Sequence, residues 1–348
     1  MSLKNKHIIN KRQSLLSALK VINTLMPDPL VLFVVDDEEK MVGTLTDGDS
    51  RRALIAGDSV NDSIEKVMLK NFNFLREGVD DDVQHLHEQK LKKMKLVPIL
   101  DSDNHIVDIV NLEKYITRLP IDAVLMAGGK GERLRPLTEK TPKPLITVGD
   151  KCIIDYNIDR LLSYGLQHVS VTINYLGEQI EEHFREERDG VKIQTVREPK
   201  YLGTIGSIKF VETFYNDTIL VMNSDLFTNI DYEDFFLHFR LHDADMSVAA
   251  VPYVVKVPYG VFNLEGRDIK GVTEKPTISY YANAGIYLIK RNLLNLIPEN
   301  EFFNATDFMD KLIQTNHKVI RYPISGYWLD IGQHDELARA REMVKHMK

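Results

Sequence analysis

The chain has a single cysteine, Cys152, in 348 residues. No intrachain disulfide is available, and a zinc site built from several cysteines is not expected. A reducing cytoplasm suits such a chain. Long apolar runs are also missing. Nowhere do about 18 apolar residues follow one another, so no membrane span is expected. The stretch Met1 to Arg12 is polar and basic with no apolar segment behind it, and it does not read as a signal peptide. No tract is of low complexity. Positive charge is not in excess: 44 Lys and Arg stand against 51 Asp and Glu, a net of −7. That balance argues against a general nucleic-acid-binding role. The remainder, 43% hydrophobic and 27% charged, is ordinary for a globular protein with a sizeable core. The length suits roughly two domains of about 150 residues.

The first 118 residues carry a weak internal repeat. Val31 to Thr46 reads as strand, acidic turn, strand, and Leu96 to Asn111 repeats that pattern. A predicted helix precedes each copy, Ser14 to Met26 and Asp82 to Met94, and a further helix is predicted after the first hairpin from Asp49 to Ala56. Two such units predict a tandem pair packed as one module. The pair resembles CBS domains, most closely at Gly43-Thr-Leu-Thr46-Asp-Gly-Asp49. In that family a Thr and an Asp three residues later hold the ribose hydroxyls of an adenine nucleotide. The resemblance therefore implies a regulatory clamp at Thr46 and Asp49. In the second copy Lys114 stands where Asp49 stands in the first, against a second clamp. A packing or dimerisation module without ligand is the other reading, and a homo-oligomer stays open.

Arg118 to Pro120 reads as the linker, since Pro120 disfavours helix before it. Beyond it strands and helices alternate. Strands are predicted at Ile121 to Met126, His168 to Ile173, Lys192 to Val196, Thr218 to Asn223 and Met246 to Pro252. Helices are predicted at Ile153 to Tyr164, Leu176 to Arg188, Gly206 to Thr213 and Tyr232 to His242. Alternation of this kind predicts a largely parallel sheet covered on both faces, with ligands beyond the carboxyl ends of its strands.

Right after the first of these strands comes Ala127-Gly128-Gly129-Lys130-Gly131-Glu132-Arg133-Leu134-Arg135. Three glycines in four residues let backbone N–H groups approach a ligand, and the cations suit a triphosphate. The loop is not a Walker P-loop, because no Gly-Lys-Ser/Thr ends it. It is not a dinucleotide fingerprint either, because Leu134 replaces the third glycine. Lys143 follows between Pro142 and Pro144, held on a stiff, extended backbone where it can stabilise charge at phosphorus.

Together the glycine loop and the Pro-Lys-Pro element resemble the motif of sugar-1-phosphate nucleotidyltransferases. The resemblance runs from Ile121 to about Leu337 through five motifs in the family's order. It implies an α/β fold: a Rossmann-like, GT-A-like, mostly parallel sheet over residues 121–348, preceded by a small α+β tandem CBS domain over 1–118. It implies a Mg²⁺-dependent enzyme that joins an NTP to a sugar 1-phosphate and releases pyrophosphate. Arg133, Lys143 and Asp225 are the implied catalytic residues, with Asp225 and Asp330 as metal ligands; hard oxygen donors suit that cation. Ala127, Gly128, Gly129, Lys130, Gly131, Glu198, Gly203 and Thr204 would bind the nucleotide. Glu274, Lys275, Asn283 and Gly285 would bind the sugar phosphate. Glu132 replaces a common Thr, and it repels the triphosphate, points away or meets metal. Asp307 either frames the sugar or caps a helix. Tyr253 to Arg267 reads as a lid or sugar-pocket insertion.

Glu198 bears on the base. Guanine presents two adjacent donors, which one carboxylate accepts. GTP is therefore favoured over UTP or dTTP, unless Glu198 only supports its loop. A CBS pair ahead of this transferase is similar to the glucosamine-1-phosphate guanylyltransferases of legionaminic acid synthesis, with mannose 1-phosphate or another hexose as alternatives. Two rivals remain: a binding protein with an inactive transferase domain, and transfer to another phosphorylated acceptor such as phosphocholine.

Overall fold

The computed structural model describes residues 6–78, 83–113 and 118–346. The chain divides into two compact units, residues 1–116 and 117–348. Lys114 and the expected helix start at Asp82 lie outside the described residues.

In the first unit β1 (Ile8–Asn10), α1 (Leu15–Thr24), β2 (Val31–Val35) and β3 (Met41–Thr46) lead into α2 (Asp47–Ile55). Then β4 (Leu75–Arg76), α3 (Val83–Leu91), β5 (Leu96–Leu100) and β6 (Ile106–Asn111) repeat the order. The hairpins start 65 residues apart, Val31 to Leu96 and Met41 to Ile106. Both bulge at the same place, between Val34 and Val35 and between Ile99 and Leu100. Each hairpin sits in its own three-stranded sheet. The two turns meet where Met41 N–H donates to Asn104 O at 2.9 Å. Phe33, Val35 and Met41 pack with Leu96, Leu100 and Ile106 in one core, so neither copy buries its apolar face alone.

The second unit is built on a seven-stranded sheet. Along the chain come β7 (Ile121–Ala127), β8 (Thr147–Val148), β9 (Lys151–Cys152), α4 (Ile153–Ser163), β10 (Val169–Ile173), α5 (Gly177–His183), β11 (Ile193–Arg197), β12 (Thr218–Asn223), β13 (Leu226–Thr228) and α6 (Tyr232–Leu241). There follow β14 (Met246–Lys256), β15 (Val261–Glu265), β16 (Asp268–Thr273), β17 (Thr277–Lys290), α7 (Ala305–Gln314), β18 (Val319–Pro323), β19 (Trp328–Asp330) and α8 (His334–Lys345). The sheet order is β11-β10-β7-β12-β17-β14-β18. All neighbours are parallel except where β17 enters antiparallel between β12 and β14. The sheet is thus mixed but mostly parallel. Phe308 and Leu312 of α7 pack on Ile219, Val221, Met246 and Ile289 of the sheet, while α8 lays Leu337, Ala340 and Val344 against Phe227 and Leu329.

Two expected helices are shorter than their sequence pattern. The one from Leu176 ends at His183, before Arg185-Glu-Glu-Arg188, which offers no apolar face to bury. The one from Gly206 is a single 3₁₀ stretch to Phe210, flanked by the β-branched Ile205 and Val211.

Candidate active site

Three parallel strands end side by side, with Ile173 beside Ala127 and Asn223 beside Met126. The polar loops that follow enclose a cavity of about 680 Å³. Its walls include Ala127 to Arg133, Lys143, Glu198, Gly203, Thr204 and Asp225. Four chain segments up to 98 positions apart therefore meet in one place.

The glycine loop is shaped by what lies behind it. Gly131 has φ +63°, and a Cβ there would stand 3.0 Å from the Cβ of Lys143 and from Thr138. Thr138 Oγ1 donates to Gly131 O at 2.9 Å and fixes the turn. A Cβ on Gly128 would come within 2.1 Å of Glu198 Oε1, so this glycine makes room for the carboxylate of another motif. Gly332 likewise leaves room for the Arg133 guanidinium, 2.8 Å from where a Cβ would stand. Glu132 lines the cavity with its carboxylate 3.7 Å from Arg135 Nη2.

Lys143 departs from the extended backbone expected of it. Pro142 is extended, but Lys143–Leu145 form one 3₁₀ turn. Pro144 sits in the first turn, where its missing N–H leaves no partner wanting. The turn buries Lys143 and aims its ammonium at two carboxylates. Nζ bonds Asp225 Oδ2 and lies 3.9 Å from Asp330 Oδ1. The carboxylates are neighbours because Leu226 pairs with Asp330 across β13 and β19, and Ile331 N–H donates to Asp225 O at 3.1 Å. Asn157 of α4 donates to Leu226 O at 2.8 Å, and Ser224 Oγ donates to Met126 O at 2.8 Å. Asp225 is thus pinned from both sides.

Asp225 Oδ1 is buried and accepts no hydrogen bond. Burial and then Asp225 beside it raise the Asp330 carboxyl above its usual range, against the pull of Lys143 and Arg133. Two crowded carboxylates, one with a bare buried oxygen, form an all-oxygen donor set that fits a hard divalent cation. The trio Cys152, Asp155 and His183 also lies close together. There both Asp155 oxygens are engaged, Oδ1 by the Arg188 guanidinium at 2.6 Å and Oδ2 by the Cys152 N–H at 3.2 Å, so no acceptor is spare, unlike Asp225 Oδ1.

At the other end Glu198 is only 3% exposed. Burial pushes its carboxyl up to about 7, against the Leu202 N–H that donates to Oε2 at 3.1 Å. Gly203 has φ +81°, and a Cβ there would meet Phe303 O at 2.6 Å. Thr204 Oγ1 accepts from Ala305 N–H at 2.8 Å, tying this loop to the start of α7.

Four implied sugar residues fall into two groups. Asn283 Oδ1 accepts from Gly285 N–H at 2.9 Å, and Gly285 (φ +71°) lies against Asn223, a wall of the cavity. Glu274 and Lys275 are exposed, in the segment between β16 and β17, and are not among the residues lining the cavity. Asp307 accepts from Asn304 N–H at 2.9 Å as the N3 member of the capping box that opens α7. In the first unit Thr46 caps α2. Asp49 Oδ2 accepts from Thr46 N–H at 2.9 Å and from Thr46 Oγ1 at 2.6 Å, and Oδ1 pairs with Arg52.

Sequence reasoning missed Asn157, Asn174, Tyr201 and Asn223, the last three lining the cavity. Asn157 had a signal: it is a polar residue on the face of α4 that buries Ile154, Ile158 and Leu161.

The sequence model of the family described as nucleotidyl transferase matches residues 122–346. The mannose-1-phosphate guanylyltransferase catalytic subunit beta of Danio rerio is 29% identical over 226 residues, 61% of this chain and 61% of that one. Bifunctional protein GlmU of Methanococcus maripaludis is 32% identical over 223 residues, 61% of this chain and 51% of its own length. The chain thus spans less than two thirds of either relative. HddC from Yersinia pseudotuberculosis, complexed with GMP-PN, shares the fold with a TM-score of 0.50 at 22% identity, over 64% of this chain and 99% of that one.

Proposed function

Because this chain belongs to the nucleotidyl transferase family, we propose that its cavity joins an NTP to a sugar 1-phosphate and releases pyrophosphate. The observation that carries the reading is the convergence of the glycine loop, Lys143, Asp225 and Glu198 on one cavity.

The nucleophile needs no side-chain base, since a sugar phosphate has its second pKa near ~6 and is mostly dianionic at neutral pH. One of its oxygens bonds the α-phosphorus. The bond from that phosphorus to the oxygen bridging to the β-phosphate breaks, and pyrophosphate leaves with the bonding pair. Repulsion between anions is the obstacle, so positioning and charge compensation do most of the catalysis. The N–H groups of Gly128 to Gly131, with Lys130 and Arg133, hold the departing pyrophosphate. Lys143 steadies the α-phosphoryl oxygens. Asp225 and Asp330 would hold Mg²⁺, which when bound supplies divalent charge beside the phosphates.

Glu198 selects GTP by accepting the N1–H and 2-amino donors of guanine, and the name of the Danio rerio guanylyltransferase supports that base. Asn283 and Gly285 brace the sugar end. Glucosamine 1-phosphate is the favoured sugar from the domain order. Mannose 1-phosphate is the second reading, favoured by the same relative's name. The first unit is read as a CBS pair. To hold an adenine nucleotide's ribose at Thr46 and Asp49, the Asp49 carboxylate must exchange its contacts with Thr46 and Arg52.

The test is pyrophosphate release with Mg²⁺, a fixed sugar 1-phosphate and each NTP in turn. Release with GTP well above UTP and dTTP is expected. Preference for UTP or dTTP would remove the role given to Glu198, and silence with all NTPs across a panel of sugars would remove the transferase reading.

A further inference from the structure

Eleven of the 25 large apolar side chains exposed among the described residues fall between Tyr253 and Tyr281. The strand pairing explains the concentration. β18 flanks β14 only as far as Ala250. Past that point β14 pairs with β17 alone, and β15 pairs with β16 alone. Cross-strand partners on such a ribbon share a face. Phe262 stands opposite Val272, and Leu264 opposite Ile269. Phe262 and Leu264 are two residues apart on β15; on β16 the bulge that leaves Lys270 unpaired keeps Val272 and Ile269, three residues apart, on the same side, so all four share a face, each 55% to 63% exposed. A two-stranded ribbon alone is marginal in water, and an uncovered apolar face of this extent marks a contact surface.

Charge and area distinguish the occupants. A bilayer would have to accept the tip, where Glu265, Arg267, Asp268 and Lys270 cluster and Lys270 Nζ lies 3.5 Å from Glu265 and 3.6 Å from Asp268. The chain's own cavity carries charged walls at Lys130, Asp225 and Glu198, which the proposed function gives to the nucleotide and its metal. A second copy brings an identical apolar face. It also meets little repulsion: the chain carries −7, whereas Tyr253 to Tyr281 holds four cations and three anions, a net of +1. The four side chains on this face, 55% to 63% exposed, present about 400 Å² between them. At the roughly 60% apolar share of an interface, that corresponds to about 670 Å² per partner, within the range of a standard stable contact.

We propose that the β15–β16 ribbon is a homodimer interface, with Phe262, Leu264, Ile269 and Val272 packed against the same face of a second copy about a two-fold axis. The test uses the full chain with Cys152→Ser, which puts a serine hydroxyl, a favoured N-cap group, in place of the thiol at the start of α4. In that background Ile269→Cys is treated with a short bis-maleimide at micromolar protein. A covalent dimer is expected, and none from the parent. Separately, Phe262→Glu with Leu264→Glu should halve the mass measured by light scattering while leaving the far-UV circular dichroism unchanged. Absence of the covalent dimer, a wild type of monomer mass, or an unchanged mass in the double variant each overturns the proposal. So does binding of the wild type, lost in the double variant, to vesicles of mixed neutral and anionic lipid.

Discussion

Asp49 and Asp225 each follow an apolar strand, β3 and β12, and both belong to motifs that resemble ligand sites. Their surroundings differ. Asp49 has both oxygens engaged, by Thr46 and by Arg52, and it does what an aspartate at the third position of a helix commonly does. Asp225 has one oxygen on Lys143 and the other buried and bare, beside a second carboxylate and a cavity. The difference lies in unused hydrogen-bonding capacity. A carboxylate whose acceptors are filled stabilises the fold, whereas one held rigid with an acceptor spare is prepared for something that arrives.

The largest effect expected from this contrast is at Lys143. Lys143→Ala removes the cation between Asp225 and Asp330, and kcat should fall by about 10²–10³, the loss typical of a preorganised donor. Far-UV circular dichroism should stay unchanged; a near-normal kcat would break the contrast at its stronger side. Asp225→Asn comes next. It keeps the shape and removes the charge, so kcat should fall by about 10², and the rise in melting temperature expected of the wild type with Mg²⁺ should be absent. An equal Mg²⁺ shift in both proteins would mean that the bare oxygen is not a ligand.

Glu198 sharpens the comparison from a third direction, as a buried carboxyl with one N–H donor. It titrates at about 7 in the folded chain against 4.5 ordinarily. Its stabilising contribution is therefore fully present below pH 4.5 and is lost as pH rises through 7. Glu198→Gln should be more stable than wild type at pH 8 by on the order of 1–3 kcal/mol and little different near pH 4. In the proposed pairing guanine meets the ionised form, so between pH 8 and pH 6 the Kd for GTP should weaken about tenfold more in wild type than in Glu198→Gln. Calorimetry at both pH values checks it, and parallel profiles would contradict it. The smallest effect is at Asp49. Asp49→Ala should lower stability by about 0.5–2 kcal/mol through loss of the cap, read by denaturant melts. If the ribose clamp is right, it should also abolish AMP binding to the full chain.

The parts of the fold legible in sequence were those with an apolar run followed by a polar turn. β7, β10 and β12 announce themselves in this way, and so does the offset repeat of the first unit. The antiparallel β17 did not, because its buried half and its exposed half belong to different surroundings, a sheet interior and a ribbon, and no single period covers both. Within the site, residue types and their order pointed to Gly128, Lys143, Asp225 and Glu198. They did not reveal that Gly128 is empty so that Glu198 can fit, which is a contact across 70 residues of chain. Nor did they reveal that Asn157 anchors Asp225, since a single polar residue on an apolar helix face reads first as an exception. The capping role of Asp307 showed only once its carboxylate was seen to accept from the Asn304 N–H.

The most direct test of the account is pyrophosphate release from GTP and glucosamine 1-phosphate with Mg²⁺, comparing wild type with Lys143→Ala. Rapid release by the wild type, falling by about 10²–10³ in the variant, is the predicted result. Equal rates in both proteins, or no release by the wild type with this or any other sugar 1-phosphate, would contradict it.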